Sequence, residues 1–235
     1  MHRRVVSFIT GITVVALPLA ATAHVSLISG PGFANTTQEI TFGVGHGCAG
    51  ADTYRIKVDL PAGVTSARAM RSDFGKFSVQ KDTAGIITSV TWQKPDAEML
   101  DEDLGYYKLV LRIRVPNQPF TTVYLPAQQT CRAMDGTMTV VNWSMLPTDP
   151  VVDGGASDEP APELRIVPPR QPGWNKFVVP HAITNLSTYF GDARIVWKGT
   201  AAYSPSATTT ELISATPGVT ALSSLAASDE IWVKY

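Results

Sequence analysis

Apolar and polar residues alternate along much of the chain between Thr37 and Met145. The clearest case is YYKLVLRIRVP, where one alternating set is Leu109, Leu111, Ile113 and Val115 and the other includes Lys108, Arg112 and Arg114. Successive side chains of a β-strand point to opposite faces, so this spacing predicts a strand with one buried face and one solvated face.

Five further segments show the same alternation: QEITFGV, TYRIKVDLP, GIITSVTWQ, FTTVYLP and TMTVVNWSM. Prolines follow several of these runs and end them, because proline cannot donate to a strand ladder: Pro61, Pro116, Pro126 and Pro147. Short antiparallel strands in this number predict a mainly β fold, namely an immunoglobulin-like β-sandwich over residues 24–148.

The composition changes after the predicted sandwich. Residues 149–172 are rich in proline, glycine and acidic residues, which predicts a linker with little capacity to form a core. Residues 173–235 contain two strand-like segments, WNKFVVPHAI and ARIVWKGTAAY, then a short helix over SATTTELISATPG and a final strand, DEIWVKY. We expect a small C-terminal α+β appendage that packs on the sandwich.

Residues 1–23 have the features of a secretory signal peptide. Arg3 and Arg4 precede an apolar run that is shorter than the roughly 18 residues of a spanning helix. Ala21 and Ala23 are the small residues that a signal peptidase requires before its cut. We expect an exported protein of the periplasm or cell envelope, with no membrane span in the mature chain. An uncleaved anchor is the alternative.

Cleavage after Ala23 would make His24 the first residue of the mature chain. Its α-amine and its imidazole Nδ1 could then chelate one ion, since a divalent metal displaces both protons at neutral pH. Planar nitrogen donors suit Cu(II), which also heads the divalent affinity order. Position alone leaves open the alternative that a histidine comes first by chance.

The composition excludes several classes of function. The chain has 19 basic and 20 acidic residues, a net charge of −1, so it offers no basic field to nucleic acid or anionic lipid. Hydrolytic motifs of the Gly-x-Ser-x-Gly and His-Glu-x-x-His types do not occur in the sequence. The two cysteines, Cys48 and Cys131, predict a disulfide in an exported protein, and thiolate metal ligation is the alternative.

A second histidine lies in the glycine-rich segment GVGHGCAGADT. Flanking glycines permit a tight turn, so His46 can project from a strand end. A disulfide at Cys48 would hold this turn rigid, as a metal site requires. Together with His24 this arrangement favours a two-histidine metal site, and a loop histidine bonded to the backbone is the alternative.

The segments AHVSL, GHGCAGADTYRIKVDLPAGV and YLPAQQTC, with a following tryptophan, resemble the YcnI-like copper-binding domain family over roughly residues 24–148. The resemblance implies an immunoglobulin-like sandwich that binds Cu(II) at the mature N-terminal histidine, a histidine brace. It makes His24 the ligand and places His46, Cys48 and Cys131 at family motif positions. Trp143 matches a tryptophan that lies near the metal.

One part of the family pattern is missing. Family members place an acidic ligand before a Phe-rich strand, where this chain has Tyr107 and Lys108. The acidic residues just upstream, Asp101, Glu102 and Asp103, could reach the site from their loop, or form an ordinary solvated turn. Glu102 is taken as the candidate third ligand, with His46 as the other possibility.

These observations predict an exported protein that holds copper for storage, delivery or resistance. An envelope copper chaperone or a membrane copper transporter would be its partner. A copper-dependent oxidative enzyme acting on an envelope or polysaccharide substrate is the first alternative, with Tyr106, Tyr107 and Trp174 as candidate aromatic contacts. The second alternative is a metal-free adhesion or assembly module, for which the fold alone would suffice.

Overall fold

The computed structural model describes residues 24–149 and 158–235. The predicted signal peptide, residues 1–23, lies outside the described residues, as do residues 150–157 of the predicted linker.

The described chain consists mainly of short strands. In chain order they are β1 (Val25–Leu27), β2 (Gly32–Phe33), β3 (Thr37–Val44), β4 (Asp52–Asp59), β5 (Thr65–Ala69), β6 (Lys76–Lys81), β7 (Ile87–Gln93), β8 (Tyr107–Arg114), β9 (Thr121–Tyr124), β10 (Ala127–Arg132), β11 (Met138–Met145), β12 (Asp158–Pro160), β13 (Glu163–Val167), β14 (Trp174–Val178), β15 (Ile195–Lys198), β16 (Ala201–Tyr203), β17 (Thr220–Ala221) and β18 (Glu230–Lys234). The helices are a 3₁₀ turn (Asp96–Glu98), α1 (Ser187–Phe190) and α2 (Ala207–Ala215).

Two sheets form a sandwich. One has the strand order β1-β3-β8-β5, and the other has the order β12-β11-β10-β4-β7-β6. If β1, β3, β4, β5, β8, β10 and β11 are lettered A to G in chain order, the sheets contain A-B-E-D and G-F-C, which is the immunoglobulin arrangement. The predicted mainly β, immunoglobulin-like sandwich is therefore confirmed.

The core lies between the two sheets. Leu109, Leu111 and Ile113 of β8 are fully buried, and they pack with residues such as Ile56 and Trp92 of the facing sheet. Lys108, Arg112 and Arg114 are exposed on the opposite face. The alternation in this strand therefore distinguishes the side chains that are removed from water on folding from those that stay solvated. Burial stabilises the fold by about 25 cal/mol per Å² of apolar surface.

Within the predicted linker, the described residues 158–172 contain two strands. Strand β12 pairs in parallel with β11, and β13 joins β2 and β9 in a third, three-stranded sheet. The reason lies in the segment ELRIV, where Leu164 and Ile166 are fully buried in the sandwich core. Two short strands between prolines are hard to distinguish from a linker by composition.

The C-terminal region is a small α+β unit, as predicted. Its sheet has the order β14-β18-β15-β16-β17, and Val196, Ile231 and Val233 lie in a second apolar cluster. Phe120 of the sandwich also belongs to this cluster, so the two cores meet at that side chain. None of the helices in the described residues is long and apolar enough to cross a membrane.

Candidate metal centre

His24 lies at the start of β1, next to the end of β3. The register pairs Val25 with Val44, and the amide of Gly45 donates to the carbonyl oxygen of His24 at 3.4 Å. Because His46 directly follows Gly45, the two histidines predicted as ligands lie next to each other across this strand end. His24 is exposed and His46 is half-buried.

The Trp143 side chain packs against the imidazole of His24. The two ring centroids are 5.3 Å apart and the planes are tilted by 50°. Trp143 belongs to β11 of the facing sheet and is only 1% exposed. A fixed ring at this distance restricts the orientation of the imidazole, as the surroundings of a metal ligand usually do.

One ring nitrogen of His46 contacts the backbone of its own turn. Its Nδ1 lies 3.1 Å from the carbonyl oxygen of Gly47. In the tautomer with the proton on Nδ1 this contact is a hydrogen bond, and Nε2 is the nitrogen available to an ion.

The turn that carries His46 is sterically constrained. A Cβ atom on Gly47 would lie 1.8 Å from the carbonyl oxygen of Ala51, so only glycine fits there. Cys48 forms a disulfide with Cys131, as predicted, with the two Cα atoms 5.7 Å apart. These constraints attach the His46 turn to β10.

Asp103 is the acidic residue that approaches His46. Its Oδ2 lies 3.7 Å from Nδ1 of His46, and its side chain is 13% exposed. The amide of Asp103 donates to the carbonyl oxygen of Gly50 at 3.1 Å, which anchors the loop against the His46 turn. The backbone thus positions a carboxylate next to the imidazole.

Three buried polar atoms around the histidines have no hydrogen-bond partner among the described residues: Asp103 Oδ1, Gln129 Oε1 and Trp143 Nε1. Gln129 touches the site through its Nε2, which donates to the carbonyl oxygen of His46 at 2.9 Å. It lies opposite Val141 in the β10–β11 ladder, so Trp143, two residues further on, shares its face. Such atoms are expected where an ion or ordered water completes a site.

The residues present fit a Cu(II) ion in kind. Imidazole nitrogen and carboxylate oxygen are donors that Cu(II) accepts, and cleavage after Ala23 would add a terminal amine at His24. Within residues 24–149 and 158–235, however, no three His, Cys, Asp or Glu side chains are close enough together to hold a metal. The side-chain contacts join His24 to Trp143 and His46 to Asp103 as two neighbouring pairs.

The other candidate residues lie elsewhere. Glu102, the candidate third ligand, is exposed, and its carbonyl oxygen accepts from the amide of Leu104 at 3.0 Å. Tyr107 points into a buried cluster, described below, while Tyr106 is 55% exposed and Trp174 is 50% exposed on the C-terminal sheet. The structure thus places Asp103, rather than Glu102, against a histidine.

Comparison with known sequence families matches residues 24–166 to a family described as a domain of unknown function, DUF1775. The chain belongs to the DUF1775 family. YcnI-like proteins are members of the same family, so the resemblance seen in the sequence is confirmed at that level. The DUF1775 region starts at His24 and ends within β13, which covers the sandwich and leaves the C-terminal sheet outside it. No curated protein matches the chain.

Among solved structures, the chain is similar to an uncharacterized protein from Nocardia farcinica with an immunoglobulin-like fold. Sequence identity is 25%, the TM-score is 0.47, and the match covers 62% of this chain and 97% of the other. BcpA, the major pilin subunit of Bacillus cereus, matches at 8% identity and a TM-score of 0.37, over 68% and 43% of the two chains. A cohesin complex structure from Clostridium thermocellum matches at 12% identity and a TM-score of 0.37, over 62% and 99%.

Sequence reasoning missed Gln129, which holds the backbone of His46 while being fully buried itself. A glutamine in the inward phase of a predicted strand was the available signal, since buried amides are normally hydrogen-bonded. The segment AQQTCR was not predicted as a strand, so the phase of Gln129 was not considered.

Proposed function

We propose that this protein is exported and binds Cu(II) through the α-amine and imidazole of His24, for copper storage, delivery or resistance. The proposal includes removal of residues 1–23, which creates the free α-amine. An envelope copper chaperone or a membrane copper transporter would exchange the ion with it.

The position of His24 carries the proposal. The residue that follows the expected cleavage site stands at the first position of the DUF1775 match, next to His46 in the fold and against the ring of Trp143. A terminal amine and Nδ1 of the same residue close a small chelate ring, so one ordered residue supplies two donors. Copper bound there would have nitrogen donors in a plane, which Cu(II) prefers.

The neighbouring residues have supporting roles in this proposal. Trp143 fixes the imidazole of His24 and shields one side of it from water. Asp103 places its Oδ2 3.7 Å from Nδ1 of His46, and its Oδ1 has no hydrogen-bond partner among the described residues. Nε2 of His46 is the candidate for a further nitrogen donor.

Isothermal titration of Cu(II) into the processed chain that begins at His24 tests the proposal. We expect one tight site per chain, and His24→Ala should weaken it by about 100-fold or more. His181→Ala is the matched control, because His181 is exposed in the C-terminal region and its loss should change nothing. A chain whose α-amine is acetylated should also bind Cu(II) weakly, since the backbone nitrogen of His24 is then an amide and not an amine.

Unchanged stoichiometry and affinity in His24→Ala would overturn the proposal. Electron paramagnetic resonance of the Cu(II) complex provides an independent readout, because its hyperfine pattern counts nitrogen donors and separates His24 alone from His24 with His46. Absence of binding near neutral pH would favour a metal-free adhesion or assembly module. Hydrogen peroxide or oxidised sugars formed with a reductant would favour the oxidative enzyme.

A further inference from the structure

A lysine and an aspartate are buried in contact with each other near the His46 turn. Asp52 is fully buried at the start of β4, and Lys94, directly after β7, is only 5% exposed. Lys94 Nζ lies 2.5 Å from Asp52 Oδ2. Since a carbon–oxygen bond adds about 1.2 Å, the amine nitrogen lies within about 3.7 Å of the carboxyl carbon, close to a reactive approach.

Tyr107 connects the two groups. Its hydroxyl donates to Asp52 Oδ1 at 2.6 Å and accepts from Lys94 Nζ at 2.6 Å. The amide of Leu100 donates to Asp52 Oδ2 at 3.0 Å. Asp52 Oδ1 therefore accepts from the Tyr107 hydroxyl, which also contacts the Lys94 amine, and Asp52 Oδ2 accepts from the backbone N–H group of Leu100.

The surroundings solvate charge poorly. Lys94 Nζ lies 4.0 Å from the ring centroid of Tyr107 and 5.5 Å from that of Phe74. Burial raises the pKa of Tyr107 well above its ordinary value, and its hydrogen bond to Asp52 adds to this effect, so the phenol keeps its proton. A buried ion pair carries a desolvation cost that its attraction often fails to offset, and an amide in its place carries no charge.

We propose that Lys94 and Asp52 condense into an intramolecular isopeptide bond. This covalent link would join β4 to the end of the neighbouring strand β7. It is independent of copper and of His24, and it requires no oxidant, nucleotide or other co-reactant.

The step is a dehydration. Proton transfer within the ion pair leaves a neutral amine on Lys94 and a carboxylic acid on Asp52 whose proton lies on Oδ1. The amine lone pair attacks Cγ, and Leu100 N–H stabilises the charge that develops on Oδ2. Tyr107 takes one proton from the nitrogen and passes its own to Oδ1, which leaves as water. The products are a secondary amide, whose carbonyl oxygen is Oδ2, and one water molecule.

Two other lysine–aspartate contacts in the described part of the chain show what distinguishes this site. Lys57 lies 2.8 Å from Asp59, with both side chains at least one-third exposed. Lys198 lies 2.6 Å from Asp229, with the lysine 40% exposed. Both amines remain in contact with water, and neither is enclosed with its carboxylate. Among these pairs, burial singles out Lys94 and Asp52.

Mass spectrometry of the intact, folded full chain tests the bond. The disulfide removes two hydrogens from the mass calculated from the sequence. We expect the measured mass to be lower than this disulfide-corrected value by one water, about 18 Da. Proteolysis followed by fragmentation should yield one branched peptide that contains both Asp52 and Lys94. A mass equal to that of the disulfide-bonded sequence, or water loss located at another residue, would overturn the proposal.

Two variants test the assigned roles. Tyr107→Phe keeps the ring and removes the relay, so freshly folded protein should show the unlinked mass, with cross-linking at least about 100-fold slower. Cross-linking in this variant as fast as in the wild type would overturn the role of Tyr107. Lys57→Met is the matched control and should still lose the water. Because none of these readouts involves copper, failure here would leave the proposed function intact, and the reverse also holds.

Discussion

Two polar clusters lie near each other in the sandwich, and they are built in opposite ways. Asp52, Lys94 and Tyr107 are packed together, and each polar atom of the Asp52 carboxylate has a partner. His46 and Asp103 are partly open to solvent, at 31% and 13% side-chain exposure, and Asp103 Oδ1 has no partner among the described residues. One loop serves both clusters, since Leu100 donates to Asp52 and Asp103 approaches His46.

This difference predicts separate roles for the two clusters, one in stability and the other in ligand binding. In a closed cluster with all bonds satisfied, removing one member leaves a buried polar group without its partner, and nothing is left for a ligand to add. An open cluster with an orphaned acceptor gains when a ligand arrives, because the unmet hydrogen-bonding capacity is then filled. We therefore expect substitutions in the first cluster to change folding and substitutions in the second to change copper binding.

Lys94→Met should have the largest effect on stability. It leaves Asp52 without its partner at a fully buried position, whether the two are paired ionically or linked. Such losses cost about 3–5 kcal/mol. Urea unfolding measures the change, and Lys57→Met provides the control, because its exposed pair with Asp59 contributes about 0–1 kcal/mol. Equal losses in the two variants would contradict the special role of the buried cluster.

The double variant Cys48→Ala, Cys131→Ala should come next. The disulfide spans 83 residues of sequence, and bonds of this kind contribute about 2–4 kcal/mol, mainly by restricting the unfolded chain. The same change releases the His46 turn from β10, so it affects both the stability of the sandwich and the candidate copper site. We expect lower stability by urea unfolding together with weaker copper binding, while the nitrogen signal of His24 persists. Unaltered copper affinity would show that the turn does not contribute to the site.

The sequence predicted most of the sandwich and little of either cluster. Strands such as β8 have a strict two-residue period, and their buried faces follow directly from it. The short strands β12 and β13 lack that length, so the proline-rich composition around them dominated the prediction. The packing of β13 on the core depends on partners in β2 and β9 that are far away in sequence.

Contacts between distant loops explain what the sequence could not predict at the candidate site. Glu102 and Asp103 are adjacent acids with the same chemistry, and only the anchoring of Asp103 N–H to Gly50 decides which one faces His46. In the sequence, Tyr107 and Lys108 stand where the family pattern has acids, and Tyr107 is also a candidate aromatic contact. Their actual roles depend on strand phase, since Tyr107 points inward to Asp52 while Lys108 is exposed.

Asp103→Asn should affect copper more than folding. The substitution keeps the shape of the side chain and removes its charge next to His46, so we expect copper affinity to fall by about 10-fold, or about 1.4 kcal/mol. Stability should change by less than about 1 kcal/mol. Glu102→Gln is the matched control at the neighbouring exposed acid. A larger loss of affinity in Glu102→Gln would reverse the assignment and make Glu102 the ligand.

The smallest expected effect is on the way stability depends on pH in the alkaline range. The pKa of Tyr107 is raised above its ordinary value of 10.0, mainly by burial and then by the hydrogen bond to Asp52. Below about pH 10 both the folded and the unfolded chain hold this proton, and the full stabilisation is present. At higher pH the unfolded chain releases the proton while the folded chain retains it, so stability must fall as pH rises.

Tyr107→Phe should therefore flatten this decline in urea unfolding between about pH 9 and about pH 11, although its stability near neutral pH is lower. Tyr106→Phe, at the neighbouring exposed tyrosine, is the control variant. An identical slope in Tyr107→Phe and the wild type would mean that the pKa of Tyr107 is the same in the folded and unfolded chains. The closed cluster would then be as open to solvent as the His46–Asp103 cluster, and the contrast between the two clusters would disappear.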